Sequence, residues 1–234
     1  DQFYSDAQNV IFIQDQALCN TYTREFEEMW GSHNEINNPS NAKFGAAKAD
    51  NTPHLFFING KRFESYFSPS ENVSTVIENI IGTQTNKSIS FCAFAFTRFQ
   101  IANRMKTQFL PPDKMVRGVF DDGNGTDPSS VYPEMKGIGG SIPWNPPAHV
   151  YLDGQSGTLH SKYILIDADM PSSNPIVQTG SYNYSNAATT GNDENVLLIY
   201  DSLVANQYFQ EFAKRFSLAG GTISIERISS EIPD

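Results

Sequence analysis

Thr158-Leu159-His160-Ser161-Lys162-Tyr163-Ile164-Leu165-Ile166-Asp167 is the stretch on which the reading of this chain turns. Its β-branched and aromatic residues favour a strand, and the period-two geometry of a strand puts His160 and Lys162 on one face. A base and a cation therefore project together. The apolar run after Lys162 has the composition of a strand covered on both sides.

Past a loop containing Pro171 and Pro175, and a strand at Ile176–Thr179, comes Gly180-Ser181-Tyr182-Asn183, where Ser181 and Asn183 share a face by the same period. These residue types suit a phosphate. Lys162 supplies a point charge, the Asn183 amide donates to a phosphoryl oxygen, and a neutral imidazole can attack phosphorus. The set calls for no metal and no cofactor.

The pattern H-x-K-x4-D followed by G-S-x-N resembles the signature of the phospholipase D superfamily, which includes phospholipases, bacterial endonucleases, phosphatidyltransferases and tyrosyl-DNA phosphodiesterases. The resemblance covers residues from about Tyr66 to Phe216 and implies a C-terminal repeat of a bacterial two-motif member. It makes His160 one of two catalytic histidines, with Lys162, Ser181 and Asn183 binding the phosphate. It adds Glu194 as the carboxylate that orients a catalytic histidine, and Asp167 as the last residue of the catalytic group. Asp167 falls on the opposite strand parity from His160, which favours a part in orienting neighbouring loops or backbone.

Working outward, Asn9-Val10-Ile11-Phe12-Ile13-Gln14-Asp15 matches Asn195-Val196-Leu197-Leu198-Ile199-Tyr200-Asp201 without a gap. The match runs on through Asn20, Tyr22, Glu25 and Phe26 against Asn206, Tyr208, Glu211 and Phe212. Each copy reads as strand, Asp, then amphipathic helix, the mark of a duplicated unit. This divides the chain into residues 1–30, the remnant of a first repeat whose greater part is missing, 31–65, a connection rich in Asn, Pro and Ser with a short strand at His54 to Ile58, and 66–234, the catalytic repeat. At the repeat offset Glu194 corresponds to Gln8, which carries no charge, so the two half-sites are expected to differ.

Within the catalytic repeat, Ser68-Pro69-Ser70-Glu71 reads as a capping box opening a helix with Val73, Val76, Ile77, Ile80 and Ile81 on one face. A strand at Ile89–Phe96, a helix over Gln100–Phe109 and a strand at Met115–Phe120 follow. Strand, helix, strand predicts an α/β fold, a mixed β-sheet flanked by helices. Asp121-Asp122-Gly123-Asn124-Gly125 reads as a plain turn, since it lacks the bidentate Glu of a calcium loop. Phe91, Phe94, Phe96 and Phe99 read as core, and His33, His54 and His149 carry no partner pattern.

With 234 residues, 39% apolar, the chain is long enough for a full core, and no apolar run approaches the roughly 20 residues of a bilayer span. A formal net charge of −10 works against non-specific attraction to nucleic acid, although a local basic groove is compatible with it. Only Cys19 and Cys92 are present, so neither a disulfide framework nor a zinc site is expected. Low charge with abundant Asn, Ser and Thr leans toward a secreted or periplasmic protein.

The resemblance thus implies a metal-independent phosphodiester hydrolase or phosphatidyl transferase working through a phosphohistidine, and the acidic balance of the chain favours a phospholipid-type substrate over nucleic acid. The second half-site would come from the missing first repeat or from a homodimer partner, and that seam of apolar surface would drive dimerisation. An endonuclease of the same superfamily, and an inert binding module retaining the fold, stay open as alternatives.

Overall fold

The computed structural model describes residues 6–109, 114–169 and 174–223. Pro171, and the ends of the outer sequence-defined segments at 1–5 and 224–234, lie outside those residues. The elements are α1 (Gln16–Trp30), β1 (Leu55–Ile58), β2 (Lys61–Ser68), α2 (Val73–Gln84), β3 (Ser88–Ala93), α3 (Phe99–Phe109), β4 (Met115–Phe120), the single turns α4 (Asp122–Gly125) and α5 (Tyr132–Met135), β5 (His149–Leu152), β6 (Lys162–Ile166), β7 (Ile176–Gly180), the short α6 (Asn186–Thr190), β8 (Glu194–Tyr200) and α7 (Ser202–Leu218).

All eight strands form one sheet in the order β1-β2-β8-β7-β6-β3-β4-β5. The pairs from β1 through β6 to β3 are antiparallel, and β3-β4-β5 is parallel. This is the mixed, helix-flanked sheet that the alternation of elements predicts. Strand β6, the apolar half of the opening quotation, lies between β3 and β7, and all five of its residues are buried.

Alternation along β6 splits the core into two layers. Ile164 and Ile166 join Ile77, Ile81, Phe91 and Leu198 on the side of α2 and α3. Tyr163 and Leu165 join Val177, Ile199, Phe209 and Phe212 on the side of α7. A sheet so covered needs apolar residues at consecutive positions, which is why the run shows no polar-apolar alternation.

The repeat copies coincide in their caps and diverge in their strands. Asp15 accepts the Leu18 amide at 2.8 Å and opens α1, as Asp201 accepts the Leu203 and Val204 amides and opens α7. The second copy's strand is β8, whereas residues 9–15 run extended beside the sheet without joining a ladder. Their one bridge lies just upstream, where Ala7 pairs in parallel with Leu159.

Two sequence expectations need correction. The boundary before Tyr66 cuts through β2, which pairs with β8 from Arg62 to Ser68, and the short strand expected at His54 to Ile58 is β1, the edge of the same sheet. The capping box fails as well, since α2 starts at Val73 after Asn72. Ser68 is the last rung of the β2-β8 ladder and its hydroxyl bonds the Ala188 carbonyl, while the Glu71 carboxylate takes the Phe67 amide and the Thr52 hydroxyl. Long-range pairing has claimed the groups the cap would have used.

Candidate active site

Because β7 runs antiparallel to both β6 and β8, the start of β6, the end of β7 and the start of β8 meet at one end of these central strands. There a cavity of about 500 Å³ opens, lined by His160, Lys162, Ser181, Asn183 and Glu194, with Gln8, Asn9 and Ile11 from the extended N-terminal segment. Five of the six residues assigned to the site by sequence thus converge. They come from three chain segments.

Main-chain bonds fix the position of His160. Its amide donates to the Ala7 carbonyl at 2.9 Å, and the Ser161 hydroxyl donates to the same oxygen at 3.2 Å. On the other side the Leu159 amide donates to Asp121 Oδ1 at 3.2 Å, while Asp121 Oδ2 holds the Asn124 amide. The turn read as plain therefore carries a carboxylate that reaches under the catalytic stretch. The imidazole meets the Phe94 ring edge-on at 4.7 Å between centroids, and the same ring lies 4.9 Å from Lys162 Nζ. Phe91 and Phe96 are core as expected, whereas Phe99 is exposed and Phe94 is half-buried against His160 and Lys162.

Lys162 is 7% exposed, and its ammonium donates to the His160 carbonyl at 2.7 Å. Burial pulls its pKa down to about 8, against the upward pull of the Glu194 and Asp121 carboxylates. Burial also holds the His160 imidazole below its usual range; the Lys162 charge adds to this and Asp6 and Asp121 oppose it. At neutral pH the pocket then offers a cation beside an uncharged ring, the pair an anionic electrophile requires.

The Gly180–Asn183 turn is shaped by alternation. Tyr182 and Tyr184 are fully buried, the latter bonded to Gln178, which leaves Ser181 and Asn183 on the cavity side. The Ser181 hydroxyl accepts the Asn195 amide at 3.0 Å and the Asn195 side-chain nitrogen at 3.3 Å, tying the turn to β8. Asn183 Oδ1 is buried without a hydrogen-bond partner, an open acceptor at the cavity wall. Gly180 has φ +145°, and a Cβ there would stand 2.1 Å from the Asn195 carbonyl oxygen, so glycine is required.

Asp167 does not reach the cavity. It is 1% exposed with φ +52°, and its carboxylate accepts the amides of Asn86, Lys87 and Ser88 at 2.8 to 2.9 Å. Its place in the catalytic group is corrected to a structural clamp on the turn between α2 and β3, on the side its strand parity favoured. Glu194 lines the cavity, but its carboxylate accepts from the Asn192 side chain at 3.1 Å and acts on the Lys162 charge, and among the described residues it makes no hydrogen bond to His160. His33, His54 and His149 all lie away from the cavity.

Residues 76–216 match the family described as cardiolipin synthase, PLD-like domain. The chain belongs to this family of phospholipase D-like domains. It is similar to mitochondrial cardiolipin hydrolase of Xenopus laevis, 26% identical over 141 residues, which are 60% of this chain and 59% of the relative. It is also similar to phospholipase D of Rickettsia bellii, 38% identical over 66 residues, 28% of this chain and 30% of the relative. The chain thus spans well under two thirds of either relative.

Among solved structures the fold is shared with Nuc from Salmonella typhimurium, a phospholipase D family member, at a TM-score of 0.57 and 23% identity over 69% of this chain and 98% of that one. NucT from Helicobacter pylori is matched at the same TM-score with 18% identity, over 69% and 99%. The phospholipase D-like assignment and the mixed α/β fold rest on the family match and on these neighbours together.

Proposed function

We propose that this phospholipase D-like protein is a metal-independent phosphodiesterase that works through a phosphohistidine, with phospholipids as its substrate class. The observation that carries the reading is the convergence of His160, Lys162, Ser181 and Asn183 on one cavity. Lys162 and the Asn183 amide hold the phosphoryl oxygens, and an imidazole nitrogen attacks phosphorus. The P–N bond forms as the P–O bond to the leaving group breaks, and an acid across the site protonates the leaving oxygen. Water or an alcohol then attacks, forming a new P–O bond as P–N breaks and giving up its proton to that same group.

His160 is the only histidine lining the cavity among the described residues, so the reaction needs a second histidine from a preceding repeat or a second copy of the chain. Family membership and the duplicated Asp-capped helices support this division of the site.

A second cavity supports lipid over nucleic acid. A groove of about 660 Å³ has an apolar wall that includes Ile11, Phe12, Ile13 and Phe63 and a polar one that includes Asn59, Lys61, Asp201 and Gln207, and it shares Ile11 with the phosphate cavity. Its apolar wall suits an acyl chain whose phosphodiester occupies the neighbouring pocket. The net charge of −10 opposes a polyanion.

The test is turnover of bis(4-nitrophenyl) phosphate in EDTA by the wild type and by His160→Asn, followed by phosphatidylglycerol vesicles against single-stranded DNA. Turnover abolished by the substitution supports the chemistry, and faster cleavage of the vesicles supports the substrate class. Cleavage of DNA alone would replace that class with nucleic acid, and silence on every substrate from a dimeric preparation would favour an inert module.

A further inference from the structure

The parallel bridge between Ala7 and Leu159 sets a register with a consequence for the next pair of residues. Ala7 donates its amide to the Thr158 carbonyl at 2.8 Å and accepts from the His160 amide at 2.9 Å. Extending that register by one residue places Gln8 beside His160, and in-register neighbours of a parallel pair direct their side chains to the same face. Both residues line the phosphate cavity. Among the described residues neither ring nitrogen of His160 has a hydrogen-bond partner, and neither has the Gln8 amide.

The repeat supplies an independent pointer. Asn9 aligns with Asn195 in the ungapped match, so Gln8 occupies the place that Glu194 holds in the second copy. Both line the cavity, so the repeat brings the same position of each copy to one site, as a neutral amide beside His160 and as a carboxylate acting on Lys162.

We infer that Gln8 is the positioning residue of His160, its side-chain carbonyl accepting from one ring N–H so that the other nitrogen faces the phosphate. A neutral acceptor selects a tautomer without stabilising imidazolium, which a carboxylate would do. The imidazole therefore keeps the depressed pKa that burial and Lys162 give it. The other charged groups acting on the ring are Asp6, whose carboxylate accepts the Thr158 amide at 3.2 Å, and Asp121 beneath Leu159. This role rests on His160 being a reacting group, but the geometry can be tested without turnover.

The experiment is a 15N-resolved NMR titration of the histidine rings in the whole chain for wild type, Gln8→Glu, Gln8→Ala and Glu194→Gln, with exposed His33 as internal reference. The Ala7 bridge uses backbone groups only, so the Gln8 variants keep the fold, and thermal unfolding checks this. In Gln8→Glu the His160 midpoint rises by about one unit while that of His33 stays, as expected of a new carboxylate within reach of the ring. In Gln8→Ala the single tautomer of His160 gives way to a mixture, and in Glu194→Gln it persists. Turnover of bis(4-nitrophenyl) phosphate falls about tenfold in Gln8→Ala through kcat, and the acid limb of the pH profile moves up in Gln8→Glu. A His160 midpoint unmoved in Gln8→Glu, or a tautomer lost only in Glu194→Gln, would overturn the assignment. An inactive wild type whose ring responses are as expected would overturn the phosphodiesterase reading and leave the pairing standing.

Discussion

Replacing Asp167 separates the structural clamp from the chemistry. Its carboxylate takes three amide protons at 2.8 to 2.9 Å, of which that of Ser88 is buried and those of Asn86 and Lys87 are half-exposed. Stranding the buried donor costs about 1.5 kcal/mol, and the two that regain water cost rather less than 1 kcal/mol each. Alanine also tolerates φ +52° poorly, adding about 1 kcal/mol. Asp167→Ala is therefore destabilised by about 4 kcal/mol, a fall of about 8–16 °C in Tm for a domain of this size. Asp167→Asn, whose carbonyl can keep the Lys87 and Ser88 amides and whose backbone accepts the left-handed region, loses only about 1 kcal/mol. Urea unfolding measures both, and phosphodiesterase turnover per folded molecule, read well below Tm, stays within about threefold of wild type. A variant of unchanged stability whose turnover drops a hundredfold would refute the clamp and return Asp167 to the reacting groups.

Three further outcomes follow from the same geometry. The Lys162 pKa is depressed in the folded chain, so its charge destabilises the fold below about pH 8 and that penalty lifts as pH rises through 8 toward the unfolded value; Lys162→Met should gain about 1–2 kcal/mol in urea unfolding at pH 7 while abolishing turnover, and wild-type turnover should fall on the alkaline side with a midpoint near 8. Lys48, buried beside Glu25 and bonded to the Ser68 carbonyl, pairs with a buried carboxylate that its removal would strand, whereas Asp193 keeps solvent and the Gly45 amide, so Lys48→Met should cost about 3 kcal/mol in the same assay. Gly180→Ala forces its new Cβ onto the Asn195 carbonyl and should both destabilise the chain by more than about 2 kcal/mol and weaken inorganic phosphate binding in calorimetry, since Ser181 is tied to Asn195.

What the sequence made legible is what local pattern controls. The apolar run of β6 reads as a doubly covered strand, Asp201 and Asp15 announce their helices by standing just ahead of an amphipathic period, and the alternation of Tyr182 and Tyr184 with Ser181 and Asn183 survives into the folded turn. The misreadings arise where a distant partner decides. Ser68 belongs to β2 because Glu194 pairs with it, and residues 9–15 have the composition of β8 but stay outside the ladder. Asp121, Gln8 and Phe94 reach the site through contacts with the 159–162 segment, and their immediate sequence neighbours give no sign of that. Glu194 shows the limit of resemblance: its placement in the cavity follows the family pattern, but its carboxylate bonds Asn192 and acts on Lys162 only through its charge.

The electrostatics of the cavity bear on how an acidic protein would serve the anionic substrate proposed for it. Lys162 is mostly out of water, and its ammonium is shared with a main-chain carbonyl. Such a cation is a poor long-range attractor but a strong short-range one, since a bound phosphoryl oxygen faces little competition from solvent. A single phosphodiester of the proposed kind would meet this charge at close quarters, with the Asn183 amide beside it, and would gain nothing from further phosphates along a chain. A polyanion would have to lay its remaining charges across a surface whose formal balance is −10. Recognition by one buried lysine is therefore consistent with the proposed class, a substrate with one reacting phosphate and an apolar remainder that would lie along Ile11, Phe12 and Ile13.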